Sequence, residues 1–228
     1  MDALAAKHLC SIEVLFQAVG CAQIFFMTVT AARDPSKFII SVIVGSTRQG
    51  RFSEKPAKWI FERLQAREAV DARLLDLRDF PMPFFDQPVS PSMPGRAPFT
   101  EPTVQKWTRA IGESDAFIIA TPEYNYGPPA VLKNAIDWVS PEWNKKPIAF
   151  VSWGAANGAR GVQQLREISV PLQLHPIRTS VYVPFPLLLE HMQGKEPGAG
   201  WAELEGPTKM LLDELTWWTQ LLKPARST

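Results

Sequence analysis

Three stretches of this chain bring together residue types that bind anions and planar rings. The first is GSTRQGRFS, Gly45 to Ser53, which follows an apolar run and opens a helical pattern. A helix N-terminus presents unpaired N–H groups and the positive end of the helix dipole, which suits a phosphate. Gly45 and Gly50 permit tight turning. Ser46, Thr47 and Ser53 supply hydroxyls, and Arg48 and Arg51 supply charge and forked hydrogen bonds. Ser53 is expected to cap the helix, with Pro56 in its first turn, where a missing N–H costs little. The stretch fits neither GxxxxGK[ST] nor GxGxxG, which disfavours nucleoside-triphosphate and dinucleotide loops. It also reads as an ordinary capped turn between a strand and a helix.

The second stretch is TPEYNYGPPAVLKNAIDW, Thr121 to Trp138. Tyr124 and Tyr126 can cover a planar ring, and Asn125 both donates and accepts. The N–H groups of residues 123–126 are expected to point toward a sheet edge. Glu123 reads as a solvated or capping carboxylate, not as a general acid or base. Pro128 and Pro129 are expected in the first turn of a helix. Its stripe of Val131, Leu132, Ala135 and Ile136 serves packing or subunit contact. The third stretch is SWGAANGARG, Ser152 to Gly161, a glycine-containing turn before another helix. Such a turn can present amides to a ring edge that gathers negative charge.

Short apolar runs must position these loops. FIISVIV (38–44), ARLLDL near residue 74, AFIIA (116–120), PIAFVSW (147–153) and SVYVPF near residue 182 read as strands. Helical patterns lie between them, at 103–113, 128–139 and 158–169, after one that carries Ala57, Ile60, Phe61 and Leu64. A last helix over 201–222 puts Leu211, Leu215, Trp218 and Leu222 on one face. The alternation predicts βαβ units and a parallel sheet covered on both sides. Such sheets bind ligands at the carboxyl ends of their strands, where all three polar loops fall. Two segments read as loops: the proline-dense 80–102, an edge or lid of the site, and 184–200.

Composition sets broader bounds. The chain has 228 residues, 46% hydrophobic and 21% charged, with a formal net charge of +1. That is ample for a core and carries no nucleic-acid footprint. Cys10 and Cys21 lack neighbours at metal-ligand spacing, so neither a metal site nor a disulfide scaffold is indicated, and a reducing, cytoplasmic setting is expected. Leu9 to Val29 is largely apolar, but Glu13, Gln17 and Gln23 make it a poor membrane span, and no small-residue cleavage site follows. Residues 1–37 read as an extension ahead of a domain over 38–222, with 223–228 as a tail and Met27 as a candidate natural start. A targeting segment or a partner-binding arm are the other readings of the extension.

Together the loops resemble the NADPH-dependent FMN reductase family of flavodoxin-like proteins. GSTRQGRFS resembles its GSxRxxS phosphate loop. TPEYNYGPPAVLKNAIDW is close to its TPEYNxxxPxxLKNAIDW signature, and KKPIAFVSWGAANGARGVQQLR resembles its KPxxxxSxGxxGGxRxxxxLR segment. The resemblance covers about residues 38–185. It implies an α/β three-layer sandwich, with a five-stranded parallel sheet and helices on both faces. It also implies non-covalent FMN, with NADPH as co-substrate ahead of NADH. Ser46, Arg48 and Ser53 would hold the FMN phosphate, beside Thr47, Arg51 and Phe52. Pro122, Glu123, Tyr124 and Asn125 would line the isoalloxazine, mostly through backbone, with Ser152, Trp153 and Gly154 at its other edge. Implied chemistry is hydride transfer to flavin N5, then ping-pong reduction of a small acceptor: a quinone, azo compound, free flavin, metal oxyanion or oxygen. Arg48 or Arg51 would reach the NADPH 2′-phosphate. A homodimer or homotetramer through the 127–140 region is implied, with neither membrane nor nucleic acid as partner. Asn157-Gly158 replaces the usual Gly-Gly. Two rival readings are an electron carrier of flavodoxin type, against which the near-neutral charge argues, and a flavin-free interaction scaffold.

Overall fold

The computed structural model describes residue 34, residues 36–195 and residues 199–226. Cys10, Cys21, Met27 and the rest of the expected extension up to residue 33 lie outside the described residues. Five strands form one sheet: β1 (Phe38–Val44), β2 (Val70–Asp76), β3 (Ala116–Pro122), β4 (Pro147–Trp153) and β5 (His175–Tyr182). All neighbours pair in parallel, in the order β2-β1-β3-β4-β5. Six α-helices accompany them: α1 (Glu54–Gln65), α2 (Pro102–Glu113), α3 (Ala130–Asp137), α4 (Ala159–Ser169), α5 (Phe185–Met192) and α6 (Glu205–Ala225).

The near-continuous apolar runs follow from burial on both faces. Side chains alternate along a strand. Ile40, Val42 and Val44 therefore pack against α1 and α6 with Ile118, Val151, Ile60, Leu211 and Leu215. Ile43, Phe117, Ile119 and Phe150 face the other layer with Trp107 of α2, Leu132 of α3 and Leu165 of α4. The flavodoxin-like three-layer sandwich is thus present, with its site-bearing loops at the carboxyl ends of β1, β3 and β4. Among the described residues no helix is long and apolar enough to cross a membrane.

Some expectations need correction. Residues 184–200 are not simply a loop, because Phe185–Met192 form α5. Pro128 and Pro129 precede α3 instead of sitting in its first turn, and Pro129 has the extended backbone of an N-cap position (ψ 142°). Of the α3 stripe, Leu132, Ala135 and Ile136 are buried in the core of this chain and Val131 packs against it, while Lys133 and Asp137 pair on the outer face. α6 reaches Ala225, and Lys223 and Arg226, in the stretch read as a tail, both hold the buried Asp115. The proline-dense loop contributes no residue to the cleft at the strand ends where the polar loops meet. Asn134 of α3 accepts from Phe85 N–H (2.9 Å) and donates to Pro83 O (2.8 Å), and Phe85 and Phe99 meet Trp138 edge-on. A wide groove of about 930 Å³ separates this loop from α2.

Candidate functional site

In the order β2-β1-β3, the chain leaves β1 toward one side of the sheet and β3 toward the other. The crevice between them is a topological switch point, where open α/β sheets place ligands. The loops after β1 and β3 meet there. Ser46 Oγ and Tyr124 Oη lie 3.1 Å apart, and Gly45 N–H donates to Ala120 O at 2.8 Å. A cleft of about 310 Å³ opens beside them, lined by Arg48, Gly50, Arg51, Phe52, Ser53, Pro122, Glu123, Tyr124, Trp153 and Gly154, among others.

The β1 loop divides its basic residues between two tasks. Arg48 is exposed, and its guanidinium has no acceptor among the described residues. Arg51 was expected to add charge for a phosphate, but its side chain is only 2% exposed and is committed to the protein. It donates to both carboxylate oxygens of Asp76, one at 2.8 Å, to Glu54 at 3.2 Å and to Ser46 O. Burial pushes the Asp76 carboxyl up. The bonds from Arg51 and from Arg78 N–H, with both arginine charges, outweigh it and leave the group below its ordinary value. Arg78 adds bonds to Glu54 (2.8 Å) and Arg48 O (2.7 Å), so this network fixes the loop from behind. Ser53 precedes α1 but makes no cap bond to it, which corrects the capping expectation and leaves its hydroxyl in the cleft. Phe52 is 5% exposed, with its ring against Trp153 and Trp201. Thr47 is exposed and does not line the cleft, and Ser46 is buried beneath it.

After β3, Tyr124 and Gly127 exchange both backbone hydrogen bonds, at 2.8 and 2.9 Å, around Asn125 (φ 50°) and Tyr126 (φ 68°). Two successive positive φ values make this a primed two-residue turn. The amides of Glu123 and Tyr124 are already used, by Trp153 O and Gly127 O, so only those of Asn125 and Tyr126 lack a backbone acceptor among the described residues. Glu123 is the capping carboxylate of the two readings. It accepts from the N–H of Arg160 (2.9 Å) and Gly161 (3.2 Å) at the start of α4, and from Arg160 Nη1 (3.2 Å). A negative charge there complements the α4 dipole and joins the second loop to the third.

In the third loop Ser152 Oγ donates to Asn157 O at 3.1 Å. Gly158 has φ 80°, and a Cβ there would sit 2.6 Å from Ser152 Cβ. Only glycine fits. Asn157 takes a left-handed backbone (φ 54°), which asparagine tolerates better than most residues, so Asn-Gly keeps the geometry of Gly-Gly. Its Oδ1 accepts from Phe185 N–H at 3.3 Å and ties this loop to α5. From α5, Leu188, His191 and Met192 line the cleft. The motifs did not identify these residues. The one available signal was the dense apolar run FPLLLEHM.

A model of the NADPH-dependent FMN reductase family matches residues 39–186, well over half of the chain. The chain belongs to that family. Among its relatives, an NAD(P)H-dependent FMN reductase of Nectria sp is 32% identical over 195 residues, 81% of this chain and 96% of the relative. An NAD(P)H-dependent FMN reductase of Schizosaccharomyces pombe is 35% identical over 147 residues, 64% of this chain and 73% of the relative. The flavoenzyme NAD(P)H:(acceptor) oxidoreductase FerB of Paracoccus denitrificans superposes with a TM-score of 0.60 at 22% identity, covering 78% of this chain and 97% of that one. That likeness shows the fold. The donors present fit the FMN phosphate: the Arg48 guanidinium, which has no acceptor among the described residues, and the Ser53 hydroxyl, which makes no cap bond, both line one cleft at the start of α1.

Proposed function

We propose that this protein is an oxidoreductase that binds FMN in the switch-point cleft and uses NAD(P)H to reduce a small acceptor. Family membership supports the FMN and NAD(P)H dependence. The observation that carries the reading is the unpaired Arg48 at the mouth of a cleft bounded by all three motif loops. Arg48 and Ser53 hold the phosphate, with Ser46 and Thr47 shaping the loop under it. Arg51 acts as a positioning residue through Asp76. Pro122, Glu123, Tyr124 and Asn125 form one wall for the isoalloxazine. Ser152, Trp153 and Gly154 form the opposite edge, and Phe52 packs behind it. Bound there, FMN supplies hydride acceptance from NADPH at N5 and ping-pong delivery to a quinone, azo compound, free flavin or similar acceptor. Trp153, Leu188 and Met192 keep water from the ring.

The domain spans residues 38–222 and its C-terminal helical end, residues 1–37 are an extension, and the setting is cytoplasmic. A dimer or tetramer through residues 127–140 would use the outer face of α3, where Lys133 and Asp137 pair; sedimentation of a Lys133→Glu protein tests it. The first test is the visible spectrum of the purified protein, before and after anaerobic NADPH. Flavin bands that bleach support the reductase. Bands that persist with NADPH and NADH favour a carrier reduced by another protein. No flavin after incubation with FMN refutes the cleft reading.

A further inference from the structure

Tyr126 is a strained residue that FMN binding leaves unexplained. Its φ of 68° is a left-handed backbone, an outlier for a bulky side chain, and its ring is 63% exposed. Glycine is the ordinary residue at this second position of a primed turn. Strain that persists in an over-determined setting marks functional positions, and this setting is over-determined. Tyr124 and Gly127 pair on both sides of the turn, and Gln164 Nε2 donates to Tyr126 O at 2.9 Å.

The exposed ring has a companion. The guanidinium carbon of Arg160 lies 4.1 Å from the Tyr126 ring centroid. Arg160 is 49% exposed and is held at Nη1 by Glu123, 3.2 Å away. Ring and cation form one preorganised patch, linked to the cofactor cleft by Glu123, which holds Arg160, and by Tyr124; both of these residues line the cleft. A guanidinium bound along one edge keeps N–H groups for a second acceptor, and one stacked on an aromatic ring is suited to phosphate.

We propose that Tyr126 and Arg160 form the subsite for a phosphate of the nicotinamide nucleotide co-substrate. The proposal rests on the FMN reductase reading above. It moves this role away from Arg48, which the cofactor phosphate occupies, and from Arg51, which Asp76 holds. Glu123 is the positioning residue. Two phosphates share the required chemistry, the adenosine 2′-phosphate and the diphosphate bridge.

The test is calorimetric binding of NADP⁺ and NAD⁺, which do not turn over alone, to FMN-loaded protein, unaltered and as Arg160→Gln and Tyr126→Asn. Asparagine accepts a left-handed backbone, so the second variant keeps the turn. Loss of a charge-assisted phosphate contact weakens NADP⁺ by about tenfold or more in Arg160→Gln. Tyr126→Asn is expected to weaken it less, and both variants bind FMN normally. Loss confined to NADP⁺ assigns the 2′-phosphate; equal loss with NAD⁺ assigns the diphosphate. Unchanged NADP⁺ affinity in both variants overturns the proposal, as does a Tyr126→Asn protein that changes its sedimentation coefficient instead of its affinity. Failure of the unaltered protein to bind FMN overturns the underlying reading, and the proposal with it.

Discussion

Gly158→Ala isolates the backbone demand of the β4 loop. Two costs add. Alanine at φ 80° sits in the left-handed region, at about 1–2 kcal/mol. Its Cβ would then lie 2.6 Å from Ser152 Cβ, 2.7 Å from Ser152 Oγ and 2.7 Å from Trp153 N. Two of these atoms belong to the Ser152 side chain on a buried strand and the third is backbone, so relief needs a shift of β4 or the loop, worth about 1–3 kcal/mol. Alanine returns about 0.4–1 kcal/mol by stiffening the unfolded chain. The balance is a loss of about 2–4 kcal/mol, or about 5–15 °C in Tm for a domain this size. Urea unfolding followed by circular dichroism measures the loss, and flavin fluorescence titration measures the expected fall in FMN affinity. Gly206→Ala is the control. It lies in the first turn of α6 with nothing within 4 Å of an added Cβ, so it should be neutral or mildly stabilising. A Gly158→Ala protein within about 0.5 kcal/mol of the original, below the range of such overpacking, would show that the loop yields freely and that the steric reasoning fails.

Arg48→Ala should weaken FMN by about 1.5–3 kcal/mol while leaving stability unchanged, because its side chain has no partner among the described residues; fluorescence titration beside thermal unfolding checks both. Arg51→Ala should cost about 2–3 kcal/mol of stability by stranding the half-buried Asp76. Asp76 is held below its ordinary value, so that contribution is complete above about pH 4 and fades as pH falls through the depressed folded value. Denaturant titrations at pH 7 and pH 3 should show the gap between Arg51→Ala and the original narrowing. Lys146 donates to Ile111 O and Gly112 O, and burial and the Arg226 charge push it down to about 8. The unfolded chain therefore holds more protons between about pH 8 and 10.5, and stability should rise by about 3 kcal/mol across that window. Urea midpoints of Lys146→Met should lack the rise.

Strand positions and loop placement were legible because burial on both sheet faces leaves unbroken apolar runs, and ligand chemistry gathers where those runs end; the strand order was not, since it is set by crossovers that leave no local pattern. The role of Glu123 was legible in kind: a carboxylate that caps. Its partner was not, since Glu123 and the α4 N-terminus are 37 residues apart and meet only in the fold. Arg48 and Arg51 look alike in the sequence, and it takes Asp76, from the end of β2, together with Glu54 and Ser46 O, to turn one inward. α5 was missed because it is eight residues long and apolar on most sides, so it carries no helical period, and its prolines read as loop.

The roof of the cleft comes from α5, and all but its first two residues lie beyond the stretch that matches the family model. Floor and roof are therefore separate segments of the chain. Substitutions in α5 can reshape what enters above the ring and leave the phosphate loop and the ring wall as they are. In the third loop the Asn157 bond to Phe185 N–H ties the two together, so replacing this one short helix should change what enters the cleft before it changes the phosphate loop.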